Sequence, residues 1–248
     1  MTTNCIPEPT AHNDNIFSTG TAGWPGVTHL EDHDFYPAIK RSLQLEGFTE
    51  DLKAVSISTG YGHRAVLGLT DTIVGAVKSK AIRHFFLVAG SDGNKLKRSY
   101  YADFVNKTPM DTVVLTLACG KFRFNQLDLG DIGGIPRLLD SGKNSDLYSS
   151  IKIAMALSEA LKCGINELPL SFILSWYEQK GVAMLLTLFH LGIKNIRLGP
   201  TMPAFLSPKV LKYFVDTYKI MPINAMADAE EDLKAILGKE NYMREVKE

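Results

Sequence analysis

The sequence is poor in cysteine: Cys5, Cys119 and Cys163 are its three, and no CxxC spacing occurs. So small and odd a set excludes a disulfide framework, and a reduced cytosolic compartment is the expectation. Charge of a dominant sign is also missing. The 27 basic and 27 acidic residues cancel, which removes any global pull toward nucleic acid or an acidic membrane. No apolar run reaches the roughly 20 residues needed to cross a bilayer. The polar start MTTNCIPEPTAHNDN has neither a signal-peptide core nor an Arg-rich transit pattern. GxGxxG, GxxxxGK[ST] and GxSxG are absent, as are internal repeats and low-complexity segments. Gly60-Tyr61-Gly62 and Ile132-Gly133-Gly134 are therefore weak candidates for a phosphate cradle, and the serines make no hydrolase case.

What is present is a chain of 248 residues with ordinary globular composition, long enough for a sizeable core. We read it as a single α/β domain over 1–248. Residues 1–34 are an irregular segment, punctuated by Pro and Gly but carrying Phe17, Trp24 and Val27, which predict that it packs on the domain. Residues 35–248 alternate strands and helices. Phe35, Ile39, Leu43 and Leu45 predict a first helix that ends before Gly47. Strands are predicted at Ala54–Ser58, His84–Ala89, Thr112–Leu117, Leu170–Ser175, Lys194–Leu198 and Lys219–Ile223. Helices are predicted from His63 to about Val77, through Tyr101–Val105, and over Leu147–Leu161, Trp176–Leu191, Ser207–Tyr218 and Asp228–Leu237. Asp131–Pro136 reads as a glycine-rich turn. This alternation calls for a mostly parallel open sheet with helices on both faces, a Rossmann-like α/β fold.

The β-branched and apolar run Thr112–Leu117 has the pattern of a strand buried on both faces. It places the thiol of Cys119 just past a central strand's carboxyl end, where open α/β sheets bind ligands. The other strand-end turns add His63, Ser91, Asp92, Lys121, Arg123, Tyr177, Glu178 and Lys180. A thiol and a carboxylate on neighbouring strand ends can share a metal, since both bind as anions. Spacing alone favours a plainer account: Cys119 is a small buried hydrophobe, Glu178 a first-turn helix acid, and Lys95, Lys97 and Arg98 a solvated surface.

Read together, longer stretches say more. AGWPGV (22–27), STGYGH (58–63), AIRHFFLVAGSDG (81–93), LTLACGKFRFNQLDLGDIGGIPRLLD (115–140), INELPLSFILSWYEQKGVAMLLTLFHLGIKNIRLGPTMPAFLSP (165–208) and EEDLKAIL (230–237) resemble the C-terminal part of the hybrid cluster protein family. These proteins are also called prismane proteins or hydroxylamine reductases. The resemblance covers nearly the whole chain and implies the third domain of that fold. Family members have a helical N-terminal domain with a cubane-type cluster, then two α/β domains around a hybrid iron–sulfur–oxygen cluster. The implied activity is reduction of hydroxylamine to ammonia, or of nitric oxide, with electrons from an external donor.

The family's site residues carry over unevenly. The ACGK cysteine is Cys119; the glutamate and lysine of W-[YF]-E-Q-K are Glu178 and Lys180. The resemblance implies that Cys119 and Glu178 are iron ligands and that Lys180 is a proton donor or charge partner. The cysteine of the family's GGCDG aligns with Ser91, and that of GQCND with Asn144, so two thiolates are replaced by poorer ligands for a soft cluster. The resemblance thus implies a degenerate chain whose hybrid cluster is absent or incomplete, and which is inactive alone. Two other readings stay open: a non-catalytic domain docking on a full-length family member, and a metal-free small-ligand module.

Overall fold

The structure is a computed structural model that describes residues 13–20, 22–51, 53–54, 56–89, 99–175, 179–199, 206–223, 228–238 and 242. By its internal contacts the chain falls into two compact units, Met1–Ile57 with Gly93–Lys97, and Ser58–Asp92 with Arg98–Glu248.

The first unit holds two short strands, β1 (Phe17–Thr19) and β2 (Thr28–Leu30), paired in parallel, and helix α1 (Tyr36–Ser42). The strands lie in the stretch expected to be irregular. Each is only three residues long, too short for a period of two to stand out. Between them the Val27 amide donates to the Trp24 carbonyl, closing a turn with Pro25 in second place and Gly26 (φ +82°) in third, the residues a type II turn requires. Helix α1 forms where predicted but buries none of its residues. The strand expected at Ala54–Ser58 does not form among the described residues, which are exposed. With two serines and little burial, nothing offsets the entropy of extending them.

The second unit is built on a six-stranded sheet. Its strands are β3 (His84–Ala89), β4 (Thr112–Leu117), β7 (Leu138–Asp140), β8 (Leu170–Ser175), β9 (Ile196–Gly199) and β10 (Met221–Pro222). The spatial order is β10-β9-β8-β3-β4-β7, and every neighbouring pair is parallel. Numbered by position within the sheet, that is 6-5-4-1-2-3, the doubly wound order whose direction reverses between β3 and β8. A separate hairpin, β5 (Asp131–Ile132) and β6 (Ile135–Pro136), occupies the glycine-rich turn. Gly133 (φ +59°) and Gly134 (φ +84°) are its two loop residues, the positive-φ pair that a tight hairpin demands.

Alternation along the strands divides the core. On one face Leu87, Leu115, Phe172 and Leu198 pack with α2 (His63–Leu67), α3 (Thr70–Lys78), α5 (Leu147–Leu161) and α6 (Gln179–His190). On the other, Phe86, Val88, Val114 and Ile173 pack with α4 (Tyr100–Asn106) and α8 (Ala229–Leu237). All six residues of β4 are buried, each large apolar side chain contributing about 1.5–3 kcal/mol. Helix α7 (Pro208–Tyr218) starts as its sequence predicts: the Ser207 hydroxyl accepts from the Val210 amide, with Pro208 at the first position. The stretch expected as one helix from His63 is two, divided at Gly68–Leu69.

Candidate functional site

The strand ends share one edge. Ala89 of β3 pairs with Leu117 of β4 on one side and Leu174 of β8 on the other, so the three chains leave the sheet in one row. The order reverses between β3 and β8, which makes that gap the expected ligand position. Ser91 and Asp92 follow β3, while Tyr177 and Glu178 follow β8; all four lie outside the described residues. Lys180 is exposed in the first turn of α6.

The exit from β4 is fully described. Ala118, the first residue past the strand, adopts φ +71°, a left-handed conformation that costs an L-residue roughly 1–2 kcal/mol. Half-buried Cys119 follows, then a short 3-10 helix, Gly120–Arg123. Two interactions hold this exit to the exit of neighbouring β7. The Ala118 amide donates to the Gly142 carbonyl at 3.0 Å. The Lys121 ammonium lies 2.5 Å from Asp140 Oδ1 and 2.9 Å from the Gly142 carbonyl. Asp140 Oδ1 also accepts from the Gly142 amide at 2.9 Å, so one carboxylate oxygen serves both loops. Gly142 (φ +121°) cannot be replaced cheaply, because an L-residue is strained at that φ and its Cβ would crowd Asp146 Oδ2, which the Lys143 amide holds in place. Asn144 stands in the next 3-10 turn, Asn144–Asp146. Cys119 and Asn144 therefore sit on two loops that are joined to each other.

The stretch 58–63 reaches the same edge. The Tyr61 amide donates to the Asp140 carbonyl at 3.0 Å, and His63 Nδ1 shares a 3.0 Å hydrogen bond with the Ser149 hydroxyl. The Gly62 amide is used by the Gly60 carbonyl. These N–H groups are consumed internally, which speaks against a phosphate cradle at Gly60–Gly62. Gly199 offers no cradle either: its Cβ position is filled by Ile223 at 2.5 Å.

Lys121 stood among the candidates by position, but its partner Asp140 did not. The one sequence signal was an acidic residue closing the apolar run Leu138–Leu139 directly before Ser141-Gly142. Burial makes the ion pair costly to break, because either charge left alone would be desolvated without compensation.

The Prismane/CO dehydrogenase family model matches residues 1–234. The chain belongs to this family. It is 59% identical over 238 residues to a hydroxylamine reductase of Thermodesulfovibrio yellowstonii, covering 96% of this chain and 44% of that protein. It thus spans under half the length of that curated relative. Carbon monoxide dehydrogenase IV of Carboxydothermus hydrogenoformans shares its fold with a TM-score of 0.67 at 15% identity, over 92% of this chain and 45% of that one. An acetyl-CoA synthase/carbon monoxide dehydrogenase structure with NiZn[Fe4S4] and NiNi[Fe4S4] clusters matches at TM-score 0.63 and 15% identity, over 93% and 42%.

That last structure carries [Fe4S4]-based clusters, and the donors at this edge can be weighed against such a group. Among the described residues no three His, Cys, Asp or Glu side chains are grouped as metal ligands. Cys119 is the thiol of the described edge, and Asn144 stands in the neighbouring loop. Soft iron sites are built mainly on thiolates. One thiolate and one amide among the described residues fall short of a cluster's ligand set, while Ser91 and Glu178 lie outside those residues.

Proposed function

We propose that this chain is the α/β sheet domain of a hydroxylamine-reductase-type oxidoreductase, and that by itself it does not hold a complete hybrid cluster. In this reading Cys119 and Glu178 are the surviving iron ligands, and Lys180 is a proton donor or charge partner beside them. Ser91 and Asn144 occupy positions where thiolates once completed the site. The substrate is hydroxylamine or nitric oxide, and electrons come from an external donor. The observation that carries this reading is the construction around Cys119, with its strained Ala118 entry, its buried Lys121–Asp140 clamp and its place at the carboxyl end of β4, the strand next to β3. An inert core cysteine would need none of these. The remaining ligands would come from another chain or domain.

The test is anaerobic expression followed by iron and sulfide analysis and an EPR spectrum. A folded, colourless, iron-free protein supports the reading. Several iron atoms per chain with a hybrid-cluster signal would overturn the claim of cluster loss. A second reading, docking on a full-length family member, is favoured by the first unit, where Phe35, Ile39, Leu43 and Phe48 are exposed. Phe35, Ile39 and Leu43 recur at a spacing of four residues, the spacing that places side chains along one side of a helix, and an exposed apolar side of that kind suits docking.

A further inference from the structure

Beneath the sheet face that packs on α5 lies a void of about 40 Å³. Leu87, Leu115 and Phe172 line it from the sheet, and Ile153, Ala154 and Leu157 line it from α5. Ala154 is the small residue in that row, and its short side chain leaves the space open. One polar side chain faces the void. Ser150 is 4% exposed, and its hydroxyl has no hydrogen-bond partner among the described residues. A serine inside a helix ordinarily bonds the carbonyl four residues back, and this one does not.

We propose that this void is a binding site for a small neutral molecule of gas size, mostly apolar with one weak hydrogen-bond acceptor, and that the Ser150 hydroxyl is its polar contact. Three considerations lead there. An unfilled void loses dispersion contacts on every wall, and a buried hydroxyl without a partner is costly. Water is a poor filler, since a buried water needs two to four polar partners and Ser150 supplies one. A larger or charged ligand is excluded by volume and by the apolar walls. Leu115 lies within β4, two residues before its end, and no residue of the loop bearing Cys119 lines the void, so the void is separate from the strand-end edge. The inference does not rest on the proposed reductase activity.

Crystals pressurised separately with xenon and nitrous oxide test this. Xenon probes the space, and nitrous oxide probes the space and the hydroxyl together. Both gases are expected to show density in the void. Ser150→Ala is expected to leave xenon occupancy unchanged and to weaken nitrous oxide binding by about three- to tenfold, the weight of one hydrogen bond. Ala154→Leu should exclude both gases; if that variant does not fold, the parent protein and Ser150→Ala decide the matter. Absence of gas density in the parent would overturn the proposal. So would an ordered water on Ser150 Oγ that neither gas displaces, or a Ser150→Ala protein that binds nitrous oxide as well as the parent.

Discussion

Lys121 Nζ lies 2.5 Å from Asp140 Oδ1, with both side chains buried, and this contact ties the loop bearing Cys119 to the loop bearing Asn144. Removing one partner strands the other charge in the protein. Lys121→Met is expected to cost about 3–5 kcal/mol in urea unfolding. It should also speed alkylation of Cys119 by iodoacetamide, because the thiol's loop is no longer held. A cost below about 1 kcal/mol would show that solvent reaches the pair and that it does not clamp the site.

Ala118 and Gly142 are bonded to each other through the Ala118 amide and the Gly142 carbonyl, yet their substitutions should have opposite signs. Ala118→Gly relieves a left-handed alanine at φ +71° and should gain up to about 1 kcal/mol. Gly142→Ala puts an L-residue at φ +121° with its Cβ against Asp146 Oδ2 and should lose roughly 2 kcal/mol. Thermal unfolding of the two variants reads both signs directly. A stabilising Gly142→Ala would mean that the backbone at this position is not held at positive φ.

Most of the sheet was legible in the sequence, including β9 and the edge strand β10, and the opposite edge was not. Strands β3, β4 and β8 end where predicted because each is an apolar run buried on two faces, bounded by turn residues. Helix α5 matches its predicted limits because Ile153, Ala154 and Leu157 recur at helical spacing. Edge strand β7 was missed: it is three residues long and follows Arg137, whose buried side chain donates to the carbonyls of Thr112, Leu129 and Pro109. At the site, the position of Cys119 past a central strand was legible. Its clamp was not, since Lys121 and Asp140 are 19 residues apart and are joined only by the pairing of β4 with β7.

Asp232 on α8 accepts from the Tyr100 hydroxyl of α4 at 2.6 Å and pairs with Arg197 Nε of β9 at 2.9 Å. Burial, then the hydrogen bond to Asp232, holds the Tyr100 phenol well above its ordinary ionisation range. Asp232→Ala leaves the buried guanidinium and the phenol without this acceptor and should cost roughly 2–4 kcal/mol. A double-mutant cycle with Arg197→Met separates the ion pair from lost packing. A coupling near zero would mean that Asp232 acts through Tyr100 alone.

His84 opens β3 with its ring against Phe86 and Nε2 hydrogen-bonded to the Ser171 hydroxyl at 3.0 Å. Burial first, and the Arg83 charge second, lower its pKa from 6.5 to about 4, against a smaller opposing pull from Asp111. Above pH 6.5 the ring is neutral in both folded and unfolded chains and adds no pH dependence. Between 6.5 and about 4 the unfolded chain takes up a proton that the folded one refuses, so stability falls as pH falls. Below about 4 both forms are protonated and the loss levels off, at up to roughly 3 kcal/mol from this residue. Urea unfolding from pH 7 to pH 4, for the parent and for His84→Gln, isolates that contribution from the carboxylates titrating alongside it. The difference between the two proteins should narrow by up to that amount as pH drops through this window. A constant difference would mean that His84 is protonated in the folded protein as readily as in the unfolded chain.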